Sequence, residues 1–136
     1  MDILNHQQIE IKTQRMACEI AECYAQEQEL TLCGLNERGY YLAQRLAQEI
    51  GKFTPHLKIN LIQVQTLDGV SFEPVSSFAK KHILLIDDVI TSGRTLMDVM
   101  DDVYKDKPAS IRTAFLAKRE HRAFPVKADF VGISLA

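Results

Sequence analysis

An unbroken apolar run, Ile83-Leu84-Leu85-Ile86, stops at two adjacent acids, Asp87 and Asp88, and the hydroxyl-rich segment Thr91-Ser92-Gly93-Arg94-Thr95 follows shortly after. The run is too short for a helix and lacks the polar alternation of a half-exposed strand, so it predicts a strand covered on both faces. Strands of that kind belong to parallel sheets flanked by helices, which bind ligands at the carboxyl ends of the strands.

The rest of the chain fits such a sheet. Residues 7–28 carry Ile9, Met16, Ile20 and Tyr24 at helical spacing and predict an amphipathic helix. Residues 30–35 predict a short strand, and the polar tetrapeptide Asn36-Glu37-Arg38-Gly39 a loop. Leu42, Ala43, Leu46, Ala47 and Ile50 then mark a second helix, which Gly51 is expected to stop. Residues 57–67 alternate loosely and end at the turn signal Asp68-Gly69, as a strand entering a hairpin would. Leu96, Val99, Met100 and Val103 predict a third helix with Asp98, Asp101 and Asp102 toward water, and residues 110–117 and 130–135 two further strands. The expected class is α/β, a mostly parallel central sheet with helices on both faces, formed by a single domain over residues 1–136.

The acidic pair and the loop after it carry the chemistry. Free amides at a helix N-terminus, with the hydroxyls of Thr91, Ser92 and Thr95, donate to phosphate oxygens, and Gly93 lets the backbone approach closely. The carboxylates of Asp87 and Asp88 would repel that anion, so they require a different partner. Ribose hydroxyls suit them, because an ionised carboxylate only accepts hydrogen bonds. A helix cap alone needs one such residue, not two acids and a hydroxyl-rich glycine loop.

Composition excludes several classes. The chain of 136 residues has 46% hydrophobic and 25% charged residues and a net charge of -2, ordinary globular usage and too acidic for a dedicated nucleic-acid binder. Cys18, Cys23 and Cys33 make no CxxC pair and no zinc spacing, and are expected to be reduced, buried small hydrophobes. No apolar run reaches the length of a signal peptide or a membrane span, so a cytoplasmic protein without membrane contact is expected. His121 lies between Arg119 and Arg122 with no second group at ligand spacing and reads as a loop histidine.

ILLIDDVITSGRTL resembles the phosphoribosyl-pyrophosphate motif of type I phosphoribosyltransferases over its whole length. The resemblance implies that Asp87 and Asp88 hold the ribose 2'- and 3'-hydroxyls and Thr91, Ser92, Gly93, Arg94 and Thr95 the 5'-phosphate, and that magnesium arrives with the pyrophosphate. A second stretch, CGLNERGYYLAQRLAQEI, is similar to the pyrophosphate loop of the bifunctional pyrimidine-operon attenuator/uracil phosphoribosyltransferase family. That adds Asn36, Glu37, Arg38 and Gly39 to the sugar-phosphate site, with Arg38 on pyrophosphate oxygens. A third stretch, KREHRAFPVKADFVGISLA, is also similar to that family, which however usually has an acid where Lys118 stands. Lys118-Arg119 followed by Asp129-Phe130-Val131-Gly132 resembles hypoxanthine-guanine enzymes instead, in which the lysine meets a purine's exocyclic oxygen. The base-binding positions so implied are Lys118 and Val131, and Asp87, Asp88 and Arg38 are the candidate catalytic residues.

Type I enzymes close a long flexible loop over the reaction centre. The matching residues 66–79 contain no lysine, arginine or tyrosine, and the chain stops shortly after Gly132, so a reduced hood, an open base pocket and slow turnover are expected. The expected function is transfer of ribose 5-phosphate from phosphoribosyl pyrophosphate to a nucleobase, uracil before hypoxanthine or guanine, by a homodimer. The alternative is a weakly catalytic regulatory module that binds nucleotide. Seven lysines and arginines against two acids between residues 105 and 127 leave RNA as a further partner of that module.

Overall fold

The computed structural model describes residues 4–119 and 123–135; His121 and Arg122 lie outside them. Six strands form one sheet in the order β3-β2-β1-β4-β5-β6, with β1 Glu29–Leu35, β2 Lys58–Gln65, β3 Ser71–Glu73, β4 His82–Ile90, β5 Ser110–Arg119 and β6 Phe130–Leu135. All neighbours are parallel except β3, which returns antiparallel on β2 through the Asp68-Gly69 turn. The fold class is as the sequence predicts.

Two-residue alternation divides the core. Leu30, Leu32, Leu84, Ile86, Ala114 and Leu116 point to one face and are buried under helices α1 (His6–Cys23) and α2 (Asn36–Phe53). Cys33, Leu35, Ile83, Leu85 and Phe115 point to the other, under Leu96, Val99 and Val103 of α3 (Arg94–Tyr104). Each large side chain so buried contributes roughly 1.5–3 kcal/mol of transfer free energy, which fixes strand register against one-residue slips.

Several boundaries move. α1 opens on a capping box, Asn5 Oδ1 accepting from the Gln8 N–H at 2.8 Å while the Asn5 N–H donates to Gln8 Oε1 at 2.9 Å. It ends at Cys23, short of residue 28, because Gln26, Glu27 and Gln28 supply no apolar face to hold a further turn. α2 begins at Asn36, so the tetrapeptide read as a loop is its first turn. Gly51 does not stop it: a Cβ there would meet only open space, and the helix runs to Phe53 until Pro55 forces Thr54 out of helical geometry. Of the three cysteines only Cys33 is buried, its thiol pushed up to about 12 by desolvation, whereas Cys18 is half-buried and Cys23 exposed. They sit on α1, whose buried stripe already consists of Met16, Ala17, Ile20 and Ala21.

Candidate active site

β1 has β2 on one side and β4 on the other, so the strand order reverses between β1 and β4 and a crevice opens at their carboxyl ends. The pairing shows how it opens. β1 follows β4 only as far as Gly34 opposite Ile86, whereas β4 continues against β5 through Val89 opposite Ala117 and Ile90 opposite Lys118. Asp87 and Asp88 therefore lie within a strand, not beyond its end, and their β1-side edge is released from the sheet.

The first turn of α2 fills that edge. A Cβ on Gly39 would stand 2.6 Å from the Ile86 carbonyl oxygen and 3.3 Å from Asp87 Cα, and one on Gly34 would stand 2.4 Å from Tyr40 Cα. Only two glycines allow β1, α2 and β4 to meet this closely. Asn36 joins the same corner in the left-handed region at φ 56, and its side chain reaches the end of β2, donating to Thr66 Oγ1 at 2.9 Å and accepting from the Thr66 N–H at 3.2 Å.

Both carboxyls fold back on their own strand. Asp87 Oδ1 accepts from the Asp88 N–H and Asp88 Oδ1 from the Val89 N–H, each at 2.8 Å. Asp88 Oδ2 faces Arg38 Nη1 at 3.5 Å, with the guanidinium 79% exposed. Burial, with the Asp88 carboxyl beside it, pushes the Asp87 carboxyl up to about 7. The two acids share a cavity of about 440 Å³ with Asn36, Glu37, Arg38, Gln65 and Leu67.

On the α3 side Asp87 also borders a smaller cavity, about 80 Å³, whose wall is Thr91, Ser92, Gly93, Arg94 and Thr95, backed by Phe115. Gly93 caps α3 at φ 85, a conformation that favours glycine, and the Arg94 N–H donates to Ser92 Oγ at 3.2 Å. The Phe124 N–H closes the loop by donating to the Ser92 carbonyl at 3.0 Å. The two cavities thus adjoin through Asp87.

The base-binding candidates are placed differently. Lys118, half-buried near the end of β5, is level with Ile90, while Val131 on β6 is level with Phe115, some three residues deeper in the sheet. The carbonyls of Val131 and Gly132 each accept from Arg15 Nη2 at 2.8 Å, which ties α1 to β6. Gln65, Thr66 and Leu67 belong to the crevice although the sequence did not single them out; the only signal was their place at a strand end facing a turn. Residues 66–79 form that turn, β3 and a coil in which Phe78 is buried, and Leu67 is 91% exposed at the cavity mouth.

The phosphoribosyl transferase domain family matches residues 1–135. The chain belongs to that family. It is 33% identical over 145 residues to the "Bifunctional protein PyrR" of Bacillus cereus (strain B4264) and, equally, to that of Bacillus anthracis (strain A0248), which covers 96% of this chain and 81% of the relative. Among solved structures it is similar to a hypoxanthine-guanine phosphoribosyltransferase from Bacillus anthracis (TM-score 0.82, 19% identity, 98% of this chain and 80% of that one). The hypoxanthine phosphoribosyltransferase of Trypanosoma cruzi is another (TM-score 0.81, 20% identity, 95% and 78%). The chain is a type I phosphoribosyltransferase, a glycosyltransferase that moves a pentosyl group to a nucleobase.

Among the described residues no group of three or more acids, histidines or cysteines could hold a metal ion. Two adjacent carboxylates do fit magnesium that keeps its waters and arrives on a diphosphate, the common arrangement for this cation. No helix of the described residues is long and apolar enough to cross a membrane.

Proposed function

We propose that the protein binds phosphoribosyl pyrophosphate across the β1/β4 crevice and transfers its ribose 5-phosphate to a nucleobase, with uracil preferred. The observation that carries this is the adjacency of the two cavities through Asp87: a cradle of amides and hydroxyls on one side, carboxylates and a guanidinium on the other. A 5'-phosphate in the cradle sets the ribose over Asp87 and Asp88, whose Oδ2 atoms accept from its hydroxyls. Arg38 and the first turn of α2 face the pyrophosphate, and Glu37 and Asn36 shape that end of the cavity.

Magnesium, carried by the pyrophosphate and held by Asp87 and Asp88, would supply charge neutralisation to the leaving group. The chain's own contribution is positioning and electrostatics. A ring nitrogen attacks the anomeric carbon, the bond to pyrophosphate breaks with its electron pair, and the ring N–H proton passes to water. Carboxylates beneath the sugar stabilise its developing positive charge, and Arg38 the negative charge on the leaving oxygens. No covalent nucleophile is required.

The likeness to the PyrR proteins favours uracil, and Lys118 favours a purine. Lys118 sits near the carboxyl end of β5 and, among the described residues, has no acidic partner. RNA receives less support, because the basic residues of the 105–127 stretch are dispersed. Arg112 stacks on Tyr24 with its guanidinium 5.4 Å from the ring, while Lys105 and Lys127 pair with Asp102 and Asp129. A homodimer in the cytoplasm completes the reading.

The test is steady-state turnover with phosphoribosyl pyrophosphate, magnesium and a panel of uracil, hypoxanthine and guanine. Uridine monophosphate should form fastest. A preference for hypoxanthine or guanine would move the assignment to the purine class, and binding without turnover on any base would favour the regulatory module.

A further inference from the structure

The sheet is covered unequally. Two helices lie on one face and α3 alone on the other, leaving a groove along α3 lined by Met97, Met100, Tyr104, Ile111 and Phe124. Met97 is 38%, Tyr104 72% and Phe124 37% exposed. Parallel sheets are normally buried on both faces, and a groove of about 760 Å³ with this much apolar lining departs from that pattern.

Charged residues border the groove in a fixed order. Arg94, Met97, Asp98, Asp101 and Tyr104 recur at helical spacing along the outer stripe of α3. Among the described residues the Arg94 guanidinium and the Asp98 and Asp101 carboxylates have no ionic partner in the chain. Arg94 stands about 4.5 Å before Met97 along the helix axis and Asp101 about 6 Å after it. A two-fold axis through Met97 reverses the stripe, so each Arg94 falls between Asp98 and Asp101 of the other copy. The order of signs is self-complementary, as an isologous contact requires.

We propose that the outer stripe of α3 is a homodimer interface, two copies meeting antiparallel about Met97 with Arg94 of each opposite Asp98 and Asp101 of the partner subunit. The same register carries Tyr104 past the partner's α3 N-terminus toward Phe124, the residue whose N–H closes the Ser92–Gly93 loop. Dimerisation then supports the phosphate cradle from outside.

Sedimentation velocity across the micromolar range tests this, with far-UV circular dichroism confirming that each variant is folded. The wild type should sediment as a dimer. Met97→Asp, which sets two carboxylates face to face at the axis, should weaken association at least about tenfold, and Tyr104→Ala should weaken it less. Asp101→Arg should also weaken the pair by opposing Arg94, and adding Arg94→Asp should restore part of the association, its acid facing the new arginine as well as the unchanged Asp98. A wild type that stays monomeric, a dimer indifferent to Met97→Asp and Asp101→Arg, or a double exchange that restores none of the association would each overturn the proposal.

Discussion

Arg38 in the first turn of α2 and Asp88 in β4 meet at 3.5 Å across the gap left where β1 ends, and this pair spans the crevice. An exposed pair of this kind contributes only about 0–1 kcal/mol to folding. Arg38→Ala should therefore leave the melting temperature within a few degrees of wild type. Its loss should appear in ligand binding, because a guanidinium on pyrophosphate makes charge-assisted bonds worth about 1.5–3 kcal/mol. Calorimetric titration should show phosphoribosyl pyrophosphate affinity falling roughly ten- to a hundredfold; an unchanged affinity would remove Arg38 from the site.

Asp87 makes stability depend on pH. Its carboxyl is raised from 3.8 to about 7 by burial and by Asp88, so the folded chain holds that proton more tightly than the unfolded chain. The contribution is fully present below about pH 4 and is lost as pH rises through about 7. In Asp87→Asn this term is absent. Melting at pH 5 and pH 8 should show the wild type losing on the order of 1–3 kcal/mol more than the variant over that interval. Parallel profiles would mean that Asp87 is ionised throughout.

Gly39 and Gly34 are required by contact, not by φ. Gly39→Ala would drive a methyl against the Ile86 carbonyl at 2.6 Å, and Gly34→Ala against Tyr40 and Gly39 backbone at 2.4–2.7 Å. Backbone cannot rotate away as a side chain can, so each change should cost about 1–3 kcal/mol, the second more than the first. Urea unfolding measures it, and wild-type stability for both would contradict the close packing of α2 on β1 and β4.

Asn36 has two separable roles, a left-handed backbone and a bridge to Thr66. Asn36→Ala loses both, and Asn36→Gly keeps the backbone geometry at least cost. The alanine variant should be the less stable by about 1 kcal/mol. Both should loosen residues 66–70, read as faster amide exchange there; equal stability of the two would deny the backbone strain.

The sheet was legible in the sequence because burial on both faces leaves runs such as Ile83–Ile86 that nothing else explains. The cradle was legible because glycine and hydroxyls must stand in fixed order where the chain turns into α3. The first turn of α2 was not, since Asn36-Glu37-Arg38-Gly39 is polar for the sake of the crevice and looks like a loop; the helix is held by Gly39 packing on β4, a contact distant in sequence. Thr66 and Leu67 were hidden for a similar reason, as only the β1/β2 pairing brings them beside Asn36. The crevice is formed by strands ending at different levels, and no local pattern records where a neighbour stops.

The proposed function requires that the acidic pair and the α3 cradle form one sugar-phosphate site. Isothermal titration of phosphoribosyl pyrophosphate with magnesium into the wild type and into Asp87→Asn/Asp88→Asn tests it most directly, with circular dichroism confirming that both are folded. The wild type should bind saturably and the double variant at least about a hundredfold more weakly, since each asparagine replaces a carboxylate acceptor for a ribose hydroxyl. A folded wild type that takes up no ligand at millimolar concentration, or a double variant that binds equally well, would contradict it.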